Sequence, residues 1–336
     1  MLYFSKLKLF IIYLVIIILT FFSSLNFLNN EEDFLLSKKV NLGLDLQGGS
    51  YLLLEVDSEP LVIHYLQTKL IDLRKALKEK NIKYKNLKIK NKSIKFKISE
   101  DDIPRFEDFF LNKENSINSY FNQYKSFEMD YFINKNSISI QYSKFGIIEI
   151  KNSSLEQSLE IVRRRIDEVG TNEPTIQRRG NDRILVELPG LDDPNRIKNL
   201  LGKTANLTFR AVSDNEDSFG AEILFFEDGV TQLSVNKRVI MSGDNLSNAN
   251  PSFDSRTSDT VVSFTLDRVG TKRFGRFTSK NVGKKLAIVL DNKIISAPEI
   301  REPILGGNGQ ISGDFTFQSA TDLALLLRSG ALPAPI

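Results

Sequence analysis

The stretch VNLGLDLQGGSYLLLEVD, residues 40–57, decides how the rest of the chain is parsed. Leu42, Leu44 and Leu46 alternate with Gly43, Asp45 and Gln47, a period of two, and residues 52–56 read as a buried strand. Between the two halves Gly48 and Gly49 permit a bend that other residues resist. The spacing Gly43, Gly48, Gly49, Ser50 approaches that of a phosphate-cradling loop. Gly49, however, stands where such a loop needs its lysine, and a strand rather than a helix follows, so the stretch reads as structural. Membrane is expected on its N-terminal side and folded domain on its C-terminal side.

On the N-terminal side, residues 9–28 are mostly apolar, a run long enough for a hydrocarbon core of ~30 Å. Lys6 and Lys8 precede it, which favours a cytoplasmic N-terminus and an extracytoplasmic remainder. A cleaved signal peptide is the alternative, but no A-x-A-like site follows and the run exceeds a usual signal h-region. The 336 residues leave room for two or three domains. Forty-five basic and forty-two acidic side chains give a net charge of +3, so no nucleic-acid partner is implied. With no cysteine and one histidine, His64, thiolate metal sites, disulfides and most zinc or triad chemistry drop out. His64 lies in the apolar-rich run LVIHYL and reads as a packed or half-exposed structural residue; no cofactor or metal is expected.

On the C-terminal side, residues 60–150 turn rich in Lys, Asn, Phe and Ile. Helices are predicted over 61–80 and 103–111, a hairpin over 82–98, and a strand pair at 127–133 and 137–142. The hairpin alternates Leu87, Ile89, Ile94, Phe96 and Ile98 with Lys88, Lys90, Lys95 and Lys97. Its lysine face is either simply solvated or a contact for anionic lipid headgroups. The expectation is a small α+β module with two helices on one face of its sheet. From Ser154, a capping-box pairing with Gln157 and a stripe of Leu155, Leu159, Val162, Ile166 and Val169 predict a helix ending at Gly170. Arg163, Arg164, Asp167 and Glu168 form its solvated face. Glu173-Pro174 leads into a strand at 175–178, Gly180-Asn181 turns into another at 183–188, and Pro189-Gly190 stops it. Asp193 caps a short helix, and 206–212 is the next strand. With the strand at 51–56 this is a β-α-β-β-α-β, ferredoxin-like order. Residues 213–260 form a polar insertion, a mobile subdomain or a disordered excursion, holding the apolar patch Ile223, Leu224, Phe225 and Phe226. Residues 213–220 and 245–258 read as its flexible connections. Residues 261–336 return to the base, with a helix at 271–282, an apolar strand at 285–290 and a last helix capped by Ser319 with Asp322.

Five blocks carry a resemblance: LGLDLQGGSYLLLEVD at 42–57, RRRIDEVGTNEPTIQRRGNDRILVELPGLDDP at 163–194, GKTANLTFRAV at 202–212, NVGKKLAIVLDNKIISAPEI at 281–300 and LALLLRSGALPAPI at 323–336. In this order they resemble the SecD family of the bacterial protein-export machinery. The matched family positions include Gly43, Asp45, Gly48, Gly49, Glu173, Pro174, Pro189, Gly190, Gly243, Asp244, Asp291, Arg328 and Gly330, expected to be structural. The resemblance implies an accessory factor of the SecYEG channel in the inner membrane. It would work with SecF, and often YajC, drawing unfolded polypeptides outward on the proton motive force. It also implies a ferredoxin-like periplasmic base with an inserted head that meets the translocating chain. The family continues past the position matching Ile336 into further membrane helices bearing proton-relay carboxylates, so no such residue is carried over here.

The expected fold is therefore α+β: one N-terminal transmembrane helix, a ferredoxin-like base, an inserted head and the extra module. The expected role is binding and motion rather than catalysis. Asp45, Glu55, Asp57 and Glu187 lie on or beside strands, where solvent-facing acids are ordinary. The alternatives are an anchored hydrolase and a stand-alone periplasmic holdase. Ile223, Leu224, Phe225 and Phe226 are the candidate contacts for unfolded chain, against the alternative of a miniature core for the insertion.

Overall fold

The computed structural model describes residues 5–25, 49–170, 174–190, 193–213, 220–254 and 257–336. Gly43, Asp45, Gly48 and Glu173, and the strand expected before the Gly48-Gly49 bend, lie outside these. Helix α1 (Lys6–Leu25) forms in the N-terminal apolar run, with side chains described as far as Phe21. Among the described residues no helix is long and apolar enough to cross a membrane.

Strand β1 (Gly49–Glu55) leads to α2 (Glu59–Glu79), which carries Pro60 in its first turn, where a missing N–H costs nothing. A hairpin of β2 (Tyr84–Lys90) and β3 (Ser93–Ile98) follows, its two-residue turn Asn91-Lys92 at φ 54° and 53°. Then come α3 (Ile103–Phe110), the short pair β4 (Tyr120–Phe121) and β5 (Ser126–Phe127), and the hairpin of β6 (Met129–Asn134) and β7 (Ser137–Tyr142). The sheet runs β2-β3-β7-β6. Strand alternation turns Ile94, Phe96, Ile98, Ile138 and Ile140 to one face, where Leu66, Leu73 and Leu77 of α2 and Phe106 and Phe110 of α3 bury them in a core of their own.

Helix α4 (Lys144–Val169) starts at Lys144, not at Ser154. Ser143 caps it, its Oγ accepting from Gly146 N at 3.0 Å, and Ser154 sits buried inside the helix. The Ser154–Gln157 spacing forms no cap: Ser154 Oγ has no hydrogen-bond partner, and Phe145, Ile147, Ile148 and Ile150 extend the helix upstream of it. Gly146 is required there, because a Cβ would stand 2.2 Å from the Glu128 carbonyl oxygen. After α4 come β8 (Thr175–Arg179), β9 (Arg183–Pro189), α5 (Pro194–Gly202), β10 (Leu207–Val212), β11 (Ala221–Phe225), β12 (Gln232–Ser242), β13 (Leu246–Phe253), β14 (Thr260–Leu266), α6 (Arg268–Lys280), β15 (Leu286–Leu290), β16 (Lys293–Ser296), β17 (Asn308–Ser312) and α7 (Phe317–Ser329). Thr316, not Ser319, caps α7: its Oγ1 accepts from Ser319 N at 3.1 Å.

The sheet β1-β9-β8 is antiparallel throughout and takes the first three places of the expected ferredoxin-like order. The fourth strand, β10, goes elsewhere: it lies between β12 and β15 in the sheet β11-β12-β10-β15-β16. Asp291 explains the diversion. Its carboxylate accepts from Thr204 Oγ1, from Ala205 N at 3.1 Å and from Asn206 N at 2.9 Å, fixing Leu207 beside Leu290. The outer edge of β1 meets the C-terminal tail instead. Val56 N–H donates toward β9, to Asp182 O at 2.8 Å, and the next amide, pointing the opposite way, donates from Asp57 to Pro335 O at 2.9 Å.

The insertion expected at 213–260 is not a separate body. Its β12 is bonded into β10, and residues 245–258, expected as a flexible connection, carry β13, bonded to β14, which continues to β17. Segment 246–253 reads polar because β13 is an edge strand that buries only Ala249 deeply, while its partner β14 supplies Val262, Phe264 and Leu266. One continuous core joins all three sheets with α4, α5, α6 and α7, with Phe209 at 5.6 Å from Phe264 and 5.7 Å from Phe274, ring centre to ring centre.

Candidate functional site

The four-residue apolar patch is resolved by strand geometry. On β11 side chains alternate, so Leu224, with Phe226 just beyond the strand, turns inward and Ile223 and Phe225 turn outward. A bridge between Phe226 and Ile294 brings the two edge strands of the five-stranded sheet together, closing it into a small barrel. Val235, Ala287, Val289 and Ile294 fill the interior, with Leu224, Phe226 and Leu233 packed on them. Arg210 pairs with Glu222 on the same inward rows. The patch is therefore half miniature core and half free surface: Ile223 is 48% and Phe225 47% exposed.

The β11–β12 turn is held by Asp228, whose carboxylate accepts from Val230 N at 2.8 Å, Thr231 N at 2.9 Å and Thr231 Oγ1 at 2.6 Å. The Thr231 hydroxyl first, then the two amides, hold this carboxyl below its usual range. Val230 at the tip is 83% exposed. An exposed apolar strand beside a stiff turn can bind an extended peptide by surface contact, without a polar pocket to select its side chains.

Behind the barrel lies a polar joint that sequence reasoning missed. Arg165 of α4 is fully buried and donates to the carbonyls of Leu200 (2.8 Å), Leu201 (3.1 Å), Lys203 (2.5 Å), Thr204 (3.4 Å) and Gly330 (3.2 Å). It thus satisfies the last carbonyls of α5 and ties them to the tail behind α7. Burial lowers its pKa to about 10, partly offset by the charge of Asp291. Nearby, Arg328 holds Glu168 with its Nε and Nη2, closest at 2.6 Å, and donates through Nη1 to Ala249 O at 2.5 Å. Asp291 of the block at 281–300 and Arg328 and Gly330 of the block at 323–336 are thus brought to one joint between α4, α5, α7 and β13.

Other expected positions serve the backbone. Gly49 starts β1 at φ 147°, Pro174 precedes β8, and Pro189 ends β9 before Gly190 at φ 64°. Gly243 packs on Leu207, and Asp244 accepts from Ser242 Oγ at 3.0 Å. Glu55 and Glu187 sit on the outer face of the β1-β9-β8 sheet, and Asp57 Oδ1 accepts from Glu59 N at 3.0 Å as α2 begins. Among the described residues, no group of three or more His, Asp or Glu is placed to hold a metal. A cavity of about 620 Å³ beside α6, lined by Phe209, Phe264 and Phe274 and by Glu299, Arg301 and Glu302, had no sequence signal because its walls come from β10, β14, α6, β15, β17 and the loop at 298–304.

Three family models match the chain: the SecD/SecF GG motif at residues 34–59, the N-terminal part of the P1 domain of protein translocase subunit SecDF at 155–214, and the SecDF P1 head subdomain at 221–334. The protein translocase subunit SecD of Rickettsia bellii is 40% identical over 320 residues, covering 93% of this chain and 60% of its own length. That of Acetobacter pasteurianus is 40% identical over 310 residues, covering 89% and 58%. The chain thus spans about 60% of the length of the curated relatives it matches. A crystal structure of SecDF in a super-membrane-facing form aligns at 32% identity over 55% of this chain and 27% of its own, with a TM-score of 0.48.

Proposed function

This chain belongs to the SecD family of protein translocase subunits, and on that premise we propose that it assists protein export by holding the emerging unfolded polypeptide on the far side of the inner membrane. The observation that carries the reading is the outward pair Ile223 and Phe225 on β11. An export factor must hold many sequences weakly, and a small apolar strand surface does so without specific hydrogen bonds. Its role is binding, not catalysis, as an accessory factor of the SecYEG channel that works with SecF, and often YajC, using the proton motive force. The apolar run at residues 9–28 is its anchor, with Lys6 and Lys8 on the cytoplasmic side.

The test is crosslinking to a stalled export substrate from a photoreactive residue at Val230. The double change Ile223→Ser and Phe225→Ser is expected to cut the crosslink severalfold with an unchanged melting curve. An intact crosslink in that folded variant removes the patch from the mechanism. Co-purification with SecF tests the partnership separately.

A further inference from the structure

We propose that the outer face of the β2-β3-β7-β6 sheet docks on anionic phospholipid headgroups. Residues 60–150 carry seventeen basic and eleven acidic side chains, although the whole chain is only +3, so positive charge is concentrated in this module. The sheet register gathers part of it on one face. Lys88, Lys95, Ser139 and Phe132 form one row across all four strands, and Lys85, Lys97, Ser137 and Asn134 the next. Lys85 therefore stands opposite Lys97 and Lys88 opposite Lys95, like-charge pairs that oppose sheet formation. The module's lysine ion pairs, Lys69 with Glu128 and Lys92 with Glu59, leave these four lysines out. Asp130 is the acid on this face, at the far strand.

Protection of a sheet edge accounts for lysines on β2, which is an edge strand, but not for Lys95 and Lys97 on the interior strand β3. An anionic surface relieves the repulsion in both rows at once. The hydroxyl and amide side chains on this face, Ser137, Ser139 and Asn134, are short, which suits a plane of headgroups better than one enclosed ligand. Phe132 stands 58% exposed in the same array, and an exposed aromatic beside lysines is the composition of interfacial contacts. The buried faces of α2 and α3 are occupied by the module's own core.

This inference rests on the apolar run at residues 9–28 as anchor, and the experiment separates the two. The chain has no cysteine, so Ser139→Cys can carry a fluorophore in the full-length chain, reconstituted in nanodiscs of phosphatidylcholine with or without phosphatidylglycerol. Acrylamide quenching at this position is expected to fall severalfold in the phosphatidylglycerol discs and to recover at high salt. A label at His64→Cys, on α2 behind the sheet, is expected to show no difference. Each lysine contributes about fivefold to association with an anionic surface. Replacing Lys85, Lys88, Lys95 and Lys97 by Gln should therefore abolish the difference, and replacing them by Arg should keep it. Equal quenching in both discs overturns the proposal, as does a difference that survives the four Gln changes or protection that appears only on adding polyglutamate. If phosphatidylcholine discs fail to retain the chain, the anchor reading falls alone, and retention by phosphatidylglycerol discs still reads the lysine face.

Discussion

Arg165 shows how one residue can organise a core while looking ordinary in the sequence. It sits in a run of three arginines, of which Arg163 and Arg164 are exposed. The signal that separates it is spacing: position 165 falls three after Val162 and four before Val169, on the apolar stripe itself. Replacing Arg165 by Met is expected to cost about 3 kcal/mol in urea unfolding, because the carbonyls it serves lose their donor in a dry site. Arg165→Lys should recover little, since one ammonium cannot reach both the α5 end and the Gly330 carbonyl. A loss under 1 kcal/mol would show that water replaces the guanidinium there.

At the scale of elements, strands and helices were legible and their ends and facing often were not. Four consecutive apolar residues at 223–226 carry no periodicity, so only the strand itself reveals that alternate members face inward. Phe226→Ser is accordingly expected to lower stability by about 2–3 kcal/mol and Phe225→Ser by less than about 0.5 kcal/mol, read from thermal melts. Comparable losses at both positions would mean the barrel is not closed there. The turn and cap carboxylates set an acid limit. Asp228 is depressed chiefly by the Thr231 hydroxyl and Asp267, the cap of α6, chiefly by the Gly270 amide. A depressed carboxyl stabilises the fold above its ordinary value of 3.8 and gives up that contribution as pH falls through the lower folded midpoint. Carboxyl carbon titration by NMR should therefore find both midpoints below 3.8.

For the whole molecule, the order of elements was readable and the choice of partners across the chain was not. β10 followed the local pattern of a fourth base strand, yet its partner β15 lies far downstream, and no property of residues 206–212 announces the Asp291 clamp. Residues 245–258 read as a flexible connection for the same reason: a polar edge strand such as β13 resembles a loop until its neighbour is known. Cutting the chain at a protease site placed within 214–219 should therefore leave the two pieces associated on size exclusion, because β12 bonds into β10 and the core continues past the cut. Two separately eluting folded pieces would contradict the single core. Helix α4 carries this unity further. Its first turn packs against the lysine-rich module at Glu128 and Tyr142, and its second half lies in the main core. At 1.5 Å per residue its 26 residues form a strut of about 39 Å. Such a strut works as a lever: a tilt of about 10° at one end displaces the other by about 7 Å, so whatever grips the module moves the main core.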